Sequence, residues 1–169
     1  MGYDPGSWDS FFVANAGAAA ALAGLLFVGI SINLATITSS PRLSRRALEA
    51  FVLLASVLIL SAVGLTPGVS RTAFGWGVLG LGAIVWALVL VLDRRTIATR
   101  EQSDRAVAPR GSLATQVALG QAATLPLLIG AVTLLADGGG GLYWVTPAVI
   151  FAYVAALANA WVLMIEIGR

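Results

Sequence analysis

The sequence contains no cysteine, no histidine and no lysine among its 169 residues. Without cysteine, the chain forms no disulfide and offers no thiol for catalysis. Histidine and cysteine are the usual ligands of zinc, copper and haem iron, so the common sites for these groups are excluded. Without lysine no Schiff base can form, which excludes a retinal protein. We therefore expect no cofactor and no bound metal.

Residues for enzyme catalysis are equally scarce. A serine nucleophile needs a neighbouring base, and neither histidine nor lysine is present to act as one. An intramembrane aspartyl pair needs two aspartates inside apolar segments, and the segments assigned below contain none. The glycines of the third apolar segment follow no strand and precede no lysine, so they do not form a phosphate-binding loop. The sequence therefore predicts that the protein is not an enzyme.

Charge is also low, whereas apolar residues are abundant. Only 11% of the residues are charged and 59% are hydrophobic, against roughly 25% charged residues in typical soluble domains. Five apolar stretches, each close to or above the roughly 20 residues that cross ~30 Å of hydrocarbon, are separated by short polar breaks. They predict an all-α fold, a single polytopic membrane bundle of five transmembrane helices. The predicted spans are about residues 11–38, 47–65, 73–92, 113–136 and 147–167.

The arginines are distributed unevenly between the breaks. Nine of the ten fall on alternate breaks or at the last residue: Arg42, Arg45, Arg46, Arg94, Arg95, Arg100, Arg105, Arg110 and Arg169. Short loops rich in arginine stay on the cytoplasmic side of a membrane, which predicts an outside N-terminus and a cytoplasmic C-terminus. Membrane lipid headgroups, rather than nucleic acid, are then the expected partners of these cations. The Ala-, Leu-, Gly- and Val-rich composition, with arginine as the long cation, suggests a high-GC bacterial genome, and we expect the protein in the bacterial inner membrane.

The first span carries a stripe of small residues. Gly17, Ala21 and Gly24 continue a repeat in which small side chains recur on one helix face. Small residues let transmembrane helices approach closely, so the stripe is typical of a helix-packing seam. We expect it to form part of the bundle core or a subunit interface, and we expect a homo-oligomer that assembles through this span or through the fifth. The alternative is that this span lines a narrow pathway around the axis of an oligomer.

Polar side chains within the predicted spans carry the functional signal. By depth, most of them belong to the cytoplasmic half of the bilayer: Ser31, Asn33, Glu49, Gln116, Gln121 and Asn159, with Glu166 at its edge. Polar groups in hydrocarbon are costly unless paired, and ionisable ones are functional candidates. Together they predict a polar vestibule open to the cytoplasm. For Glu49 the alternative is a simple ion pair with Arg45, four residues earlier on the same helix.

One break has room for a second role. Residues 93–111 are mixed in charge, and Glu101 and Arg105 have the spacing of a helical ion pair, as have Arg100 and Asp104. The segment is expected to be a solvated linker between the third and fourth spans. The alternative is a short surface helix that docks a membrane or cytoplasmic protein.

The first part of the chain resembles a known family. Residues 11–14 (FFVA), 17–18 (GA), 21–28 (ALAGLLFV), 31–34 (SINL), 46–49 (RALE) and 65–68 (LTPG) carry the likeness. Over about residues 8–68 they resemble a family of small, mostly actinobacterial integral membrane proteins, some of them labelled "modulator of FtsH protease". The resemblance implies a small bacterial membrane protein, and it makes Asn33 and Glu49 part of the family pattern.

These observations leave three functional hypotheses. The first is a small homo-oligomeric channel- or transporter-like protein that uses the predicted vestibule. The second is a membrane adaptor without transport activity, which regulates another membrane protein through residues 93–111. The third is a protein that binds a lipid or a quinone at the same polar residues.

Overall fold

The computed structural model describes residues 5–102, 110–136, 138 and 140–167. Six α-helices and two 3-10 turns account for nearly all of them, and the described part contains no strand. The helices are α1 (Asp9–Ile32), α2 (Leu34–Ser39), α3 (Pro41–Gly64), α4 (Arg71–Gln102), α5 (Arg110–Leu135) and α6 (Val145–Ile167). The 3-10 turns, Pro5–Trp8 and Gly141–Trp144, lead into α1 and α6.

Five segments are long and apolar enough to cross a membrane. They are Gly6–Ile32, Pro41–Gly64, Arg71–Ala98, Ala114–Leu135 and Gly141–Glu166. At 1.5 Å per residue even the shortest, with 22 residues, is longer than the hydrocarbon core. The predicted all-α fold with five apolar spans is therefore confirmed. The orientation of the ends and the identity of the membrane stay predictions.

Four helices form the centre of the bundle, and α1 lies outside it. The helix α3 contacts α1, α4 and α6, and α5 contacts α4 and α6. Buried residues follow one stripe of α3 along its length, including Ala50, Leu53 and Val57. In α1 the fully buried side chains are Phe12 and Ala19. Thus α3 to α6 enclose the core, and α1 is a peripheral helix that packs on α3.

The predicted packing seam does not lie in this core. Gly17, Ala21 and Gly24 are exposed, and a Cβ atom added at Gly17 or Gly24 would meet nothing within 4 Å. The residues of α1 that face the bundle instead include the buried Phe12 and Ala19 and the partly buried Leu22. The seam therefore points away from the bundle, and its role in a homo-oligomer stays a prediction.

The first span is interrupted rather than continuous. Asn33 lies between α1 and α2 with φ −113° and ψ 23°. Its side-chain Nδ2 donates to the carbonyl of Gly29 at 3.0 Å, and its backbone N–H bonds to Ile30 instead of Gly29. Asparagine breaks a helix in this way because its side chain competes for backbone partners. The break lets Ile37 of α2 pack with Leu43 of α3 and Leu163 of α6.

The third long helix extends beyond the span of residues 73–92 that the sequence predicts. The helix α4 continues to Gln102, so the first ten residues of the predicted linker 93–111 are helical. Asp93 therefore lies within the helix of the candidate span Arg71–Ala98, just beyond the predicted end of the third span at residue 92. The bounds of the membrane-crossing part stay a prediction. Residues 103–109, with Asp104 and Arg105, lie outside the described residues, as does Arg169.

A hydrogen bond ties the peripheral helix to α6. The hydroxyl of Tyr153 donates to the backbone carbonyl of Asn15 at 3.1 Å, in a partly buried position. We expect Tyr153→Phe to lower the free energy of unfolding by about 0.5–1.5 kcal/mol, because the ring stays and only the bond is lost. Equilibrium unfolding in mixed micelles measures this. Tyr143→Phe, at an exposed tyrosine, is the matched control, and equal losses in the two variants would contradict the prediction.

Candidate functional site

One face of α3 carries three charged residues near its beginning. Ser40 precedes the helix in an extended conformation, and Pro41 occupies its first turn, where the missing N–H is harmless. Arg42, Arg46 and Glu49 then follow at spacings of four and three residues, which places them on one helix face. Two cations and one carboxylate thus lie on successive turns of α3, beginning at its N-terminal end.

The outermost of these residues forms a surface ion pair. Arg42 Nη2 lies 3.6 Å from Glu166 Oε1, near the end of α6, and the two side chains are 43% and 32% exposed. An exposed pair of this kind contributes at most about 1 kcal/mol to stability. The pair marks one end of the bundle, because it lies where α3 begins and α6 ends. We call Arg42 and Glu166 the mouth pair.

One turn deeper the side chains are buried. Arg46 Nη1 donates to Asn159 Oδ1 of α6 at 3.1 Å, and both residues are excluded from the surface of the bundle. Asn159 precedes Glu166 by seven residues, so both project from the same face of α6. The guanidinium is thereby held between α3 and α6 rather than at the surface, where arginine usually lies.

The next turn of α3 carries a fully buried carboxylate. Glu49 is 1% exposed, and its Oε2 accepts a hydrogen bond from Gln116 Nε2 of α5 at 2.7 Å. The distance is in the range of hydrogen bonds to an ionised acceptor. Glu49 follows Pro41 by eight residues, which corresponds to about 12 Å along the helix axis. The carboxylate is therefore well inside the apolar part of the bundle.

A second buried carboxylate comes from α4. Asp93 is 3% exposed, and a Cβ atom placed on Gly120 of α5 would lie 3.9 Å from its Oδ2. The same point is 3.5 Å from Glu49 Oε1 and 3.0 Å from Val89 Cγ1. Both carboxylates thus face one glycine of α5, where any larger residue would occupy the space beside them. We call Arg46, Glu49, Asp93, Gln116 and Asn159 the polar cluster.

Four oxygen atoms of the polar cluster have no hydrogen-bond partner among the described residues. They are Glu49 Oε1, Asp93 Oδ1, Asp93 Oδ2 and Gln116 Oε1, and one nitrogen of the cluster, Arg46 Nε, is also without a partner there. A buried polar atom without a partner costs roughly 1–3 kcal/mol, and more when it is charged. Arg46, Glu49 and Asp93 are the buried charged residues of the described chain. In ionised form they leave one uncompensated negative charge in the interior.

The structure brings together four of the seven predicted vestibule residues. Glu49, Gln116 and Asn159 belong to the polar cluster, and Glu166 belongs to the mouth pair. Gln121 lies next to Gly120 and accepts a hydrogen bond from Trp86 Nε1 at 3.0 Å. Trp86 thus orients a polar side chain of α5.

The other two vestibule residues lie elsewhere. Ser31 is exposed, Asn33 partly so, and both bond to backbone carbonyls of their own helix, Phe27 at 2.8 Å and Gly29 at 3.0 Å. The vestibule predicted from depth alone therefore included two residues that the chain does not bring to it. The reason is that α1 presents this polar face away from α3 and α6.

Two members of the polar cluster were missed from the sequence. From the sequence, Asp93 belongs to the predicted linker 93–111, and Arg46 is predicted only as a charge that orients the chain. A signal for Asp93 was present, since Val85, Val89 and Asp93 recur every four residues on one buried face. For Glu49, the observed hydrogen-bond partner is Gln116, and the ion pair with Arg45 stays a prediction.

The polar cluster offers oxygen ligands but no dense acidic site. Within the part of the chain that the structure describes, no three Asp, Glu, His or Cys side chains are close enough to hold a metal ion together. Two carboxylates and two amides suit a proton or a weakly held hard cation better than a transition metal. Chemically, the arrangement can bind positive charge in the interior of a membrane bundle.

Comparison of the chain with protein-family models, curated proteins and solved structures finds no match. The family resemblance over residues 8–68 stays a prediction.

Proposed function

We propose that this chain is a small channel- or transporter-like protein of a bacterial inner membrane, which moves a cation through the polar cluster. The observation that carries the proposal is the burial of Glu49 and Asp93 beside each other inside the apolar bundle. Ionisable groups at membrane depth are expensive, and they are a usual feature of ion and proton pathways.

The direction of access follows from the mouth pair. Arg42 and Glu166 are partly exposed, and Arg46 with Asn159 lies between them and Glu49. A cation entering at this end therefore meets polar groups on successive turns of α3 and α6. With the orientation that the arginines predict, this end is the cytoplasmic one, and the polar cluster forms the inner part of a cytoplasm-facing vestibule.

The pathway is proposed to run within one chain rather than along an oligomer axis. The polar cluster is enclosed by α3, α4, α5 and α6, whereas the small-residue face of α1 with Gly17 and Gly24 lies outside the bundle. That face remains available to pack against lipid or a second copy, so the proposed homo-oligomer would assemble through α1 with one cluster in each subunit.

Flux through reconstituted protein tests the proposal. Liposomes that contain the purified chain are expected to conduct alkali cations or protons, followed with ion-sensitive dyes under a potassium diffusion potential. Glu49→Gln and Asp93→Asn should each reduce the flux about tenfold or more, which corresponds to the loss of about 1.4 kcal/mol at the site. Both variants keep the side-chain shape and remove the charge.

Asp9→Asn is the matched control, because Asp9 is an exposed carboxylate in the first turn of α1 and does not belong to the polar cluster. Its flux should equal that of the unmodified protein. The proposal is wrong if the unmodified protein conducts neither protons nor alkali cations, or if Asp9→Asn lowers the flux as much as Glu49→Gln does.

A further inference from the structure

The unpartnered oxygens of the polar cluster come from three different helices. Glu49 Oε1 belongs to α3, both Asp93 oxygens to α4, and Gln116 Oε1 to α5. Gln116 is itself buried, and its amide nitrogen already bonds to Glu49, which fixes its oxygen close to the same carboxylate. The cluster also holds donor groups, the Arg46 guanidinium and the amides of Gln121 and Asn159 beside the carboxylates. Four buried oxygens still lack a partner among the described residues, and such a convergence favours a positively charged ligand.

The charge of the cluster limits the ligand to one positive charge. In ionised form Glu49 and Asp93 supply two negative charges, and Arg46, which bonds to Asn159, supplies one positive charge. A monovalent cation brings the buried sum to zero, whereas a divalent cation would leave an excess positive charge. Calcium sites also use 6–8 oxygens, and magnesium demands a nearly ideal octahedron.

Gly120 leaves room beside the two carboxylates because it has no side chain. The position that a Cβ would take on Gly120 is 3.5 Å from Glu49 Oε1 and 3.9 Å from Asp93 Oδ2. A bound proton would join two of the four oxygens and leave the others without a partner. A cation with several oxygen ligands contacts both carboxylates and the amide at once.

We propose that Glu49, Asp93 and Gln116 bind one monovalent alkali cation of the sodium type beside Gly120. The assignment identifies the cation that the polar cluster binds. The role of that cation in transport rests on the proposed function. Binding is measured without flux, so the two proposals fail separately.

Thermal unfolding in detergent gives the first test. A ligand that binds only the folded state raises the unfolding temperature with its concentration. NaCl is therefore expected to raise the midpoint above that in choline chloride of the same ionic strength. The sodium-dependent shift should disappear in Glu49→Gln and in Asp93→Asn, and it should persist in Asp9→Asn.

A neutral substitution tests the space independently of charge. Gly120→Ala places a methyl group against both carboxylates and is expected to reduce the sodium-dependent shift. Gly80→Ala in α4 is the matched control, because a Cβ there would meet nothing within 4 Å, and its shift should be unchanged.

Equilibrium binding of radioactive sodium to the unmodified protein provides a measurement that needs no variant to fold, with one ion per chain as the expected stoichiometry. Equal midpoints in sodium, potassium and choline chlorides, together with no bound sodium, would overturn the proposal. Stabilisation by CaCl₂ or MgCl₂ but not by NaCl would also overturn it, as would a response to pH alone. If sodium binds but liposomes show no flux, the ligand assignment stands and the transport function fails.

Discussion

Arg46→Met is expected to destabilise the folded bundle by about 3–5 kcal/mol, the range found when one partner of a buried charged group is removed. Arg46 is the buried cation of the polar cluster, and methionine fills a similar volume without charge. The substitution leaves Glu49 and Asp93 as two buried negative charges. It also removes the donor that Asn159 Oδ1 accepts from at 3.1 Å. Equilibrium unfolding in mixed micelles, followed by tryptophan fluorescence and circular dichroism, measures the loss.

Arg42→Met is the matched control for this prediction. Arg42 lies one turn earlier on the same face of α3, but its ion pair with Glu166 is exposed to solvent. Its loss should be about 1 kcal/mol or less. The double variant Arg46→Met with Glu49→Gln should recover part of the stability, because it buries one negative charge fewer. Equal losses for Arg42→Met and Arg46→Met would show that the polar cluster does not depend on its guanidinium.

The five-span fold was predictable because it depends on local composition. Runs of apolar residues longer than the hydrocarbon core have few alternatives to a membrane helix, since every backbone polar group must bond within the segment. The helix ends were less predictable. Asp93 with Arg94 and Arg95 resembles the end of a span, yet α4 continues to Gln102 because nothing in this segment breaks a helix. At Asn33, conversely, an apolar run contains a break that depends on one side-chain hydrogen bond.

The polar cluster was predictable in part for a different reason. Depth along each predicted span indicated that Glu49, Gln116 and Asn159 lie at similar heights in the bilayer. Height does not determine which way a helix is rotated, and rotation decides whether a residue faces a neighbour. Ser31 has a suitable height but points outwards, whereas Asp93 faces Gly120. The rotation follows from long-range packing between helices, which no local pattern specifies.

The packing of α1 on α3 also depends on helix rotation, which no local sequence pattern specifies. A substitution at this contact is expected to have a large effect on stability. We expect Phe12→Ala to lower the free energy of unfolding by about 2–4 kcal/mol, somewhat less than in water-soluble cores because lipid is as apolar as the protein interior. Phe12 is 0% exposed, and its ring lies 6.1 Å from that of Phe74, centroid to centroid. Its removal leaves a cavity between α1, α3 and α4. Phe27→Ala, at a 63% exposed phenylalanine of the same helix, is the matched control and should lose much less.

A double-mutant cycle with Gly64 tests whether the two helices fit through this contact. A Cβ on Gly64 would lie 2.7 Å from the ring of Phe12, so Gly64→Ala alone forces the ring or the helix to move and should cost about 1–3 kcal/mol. With alanine at position 12 the added methyl group has room. The two substitutions together should therefore destabilise the protein by less than the sum of their separate effects, as expected for residues in contact. Additive losses would mean that other contacts hold α1 to α3. In that case truncating Phe12 would not detach α1 from the bundle.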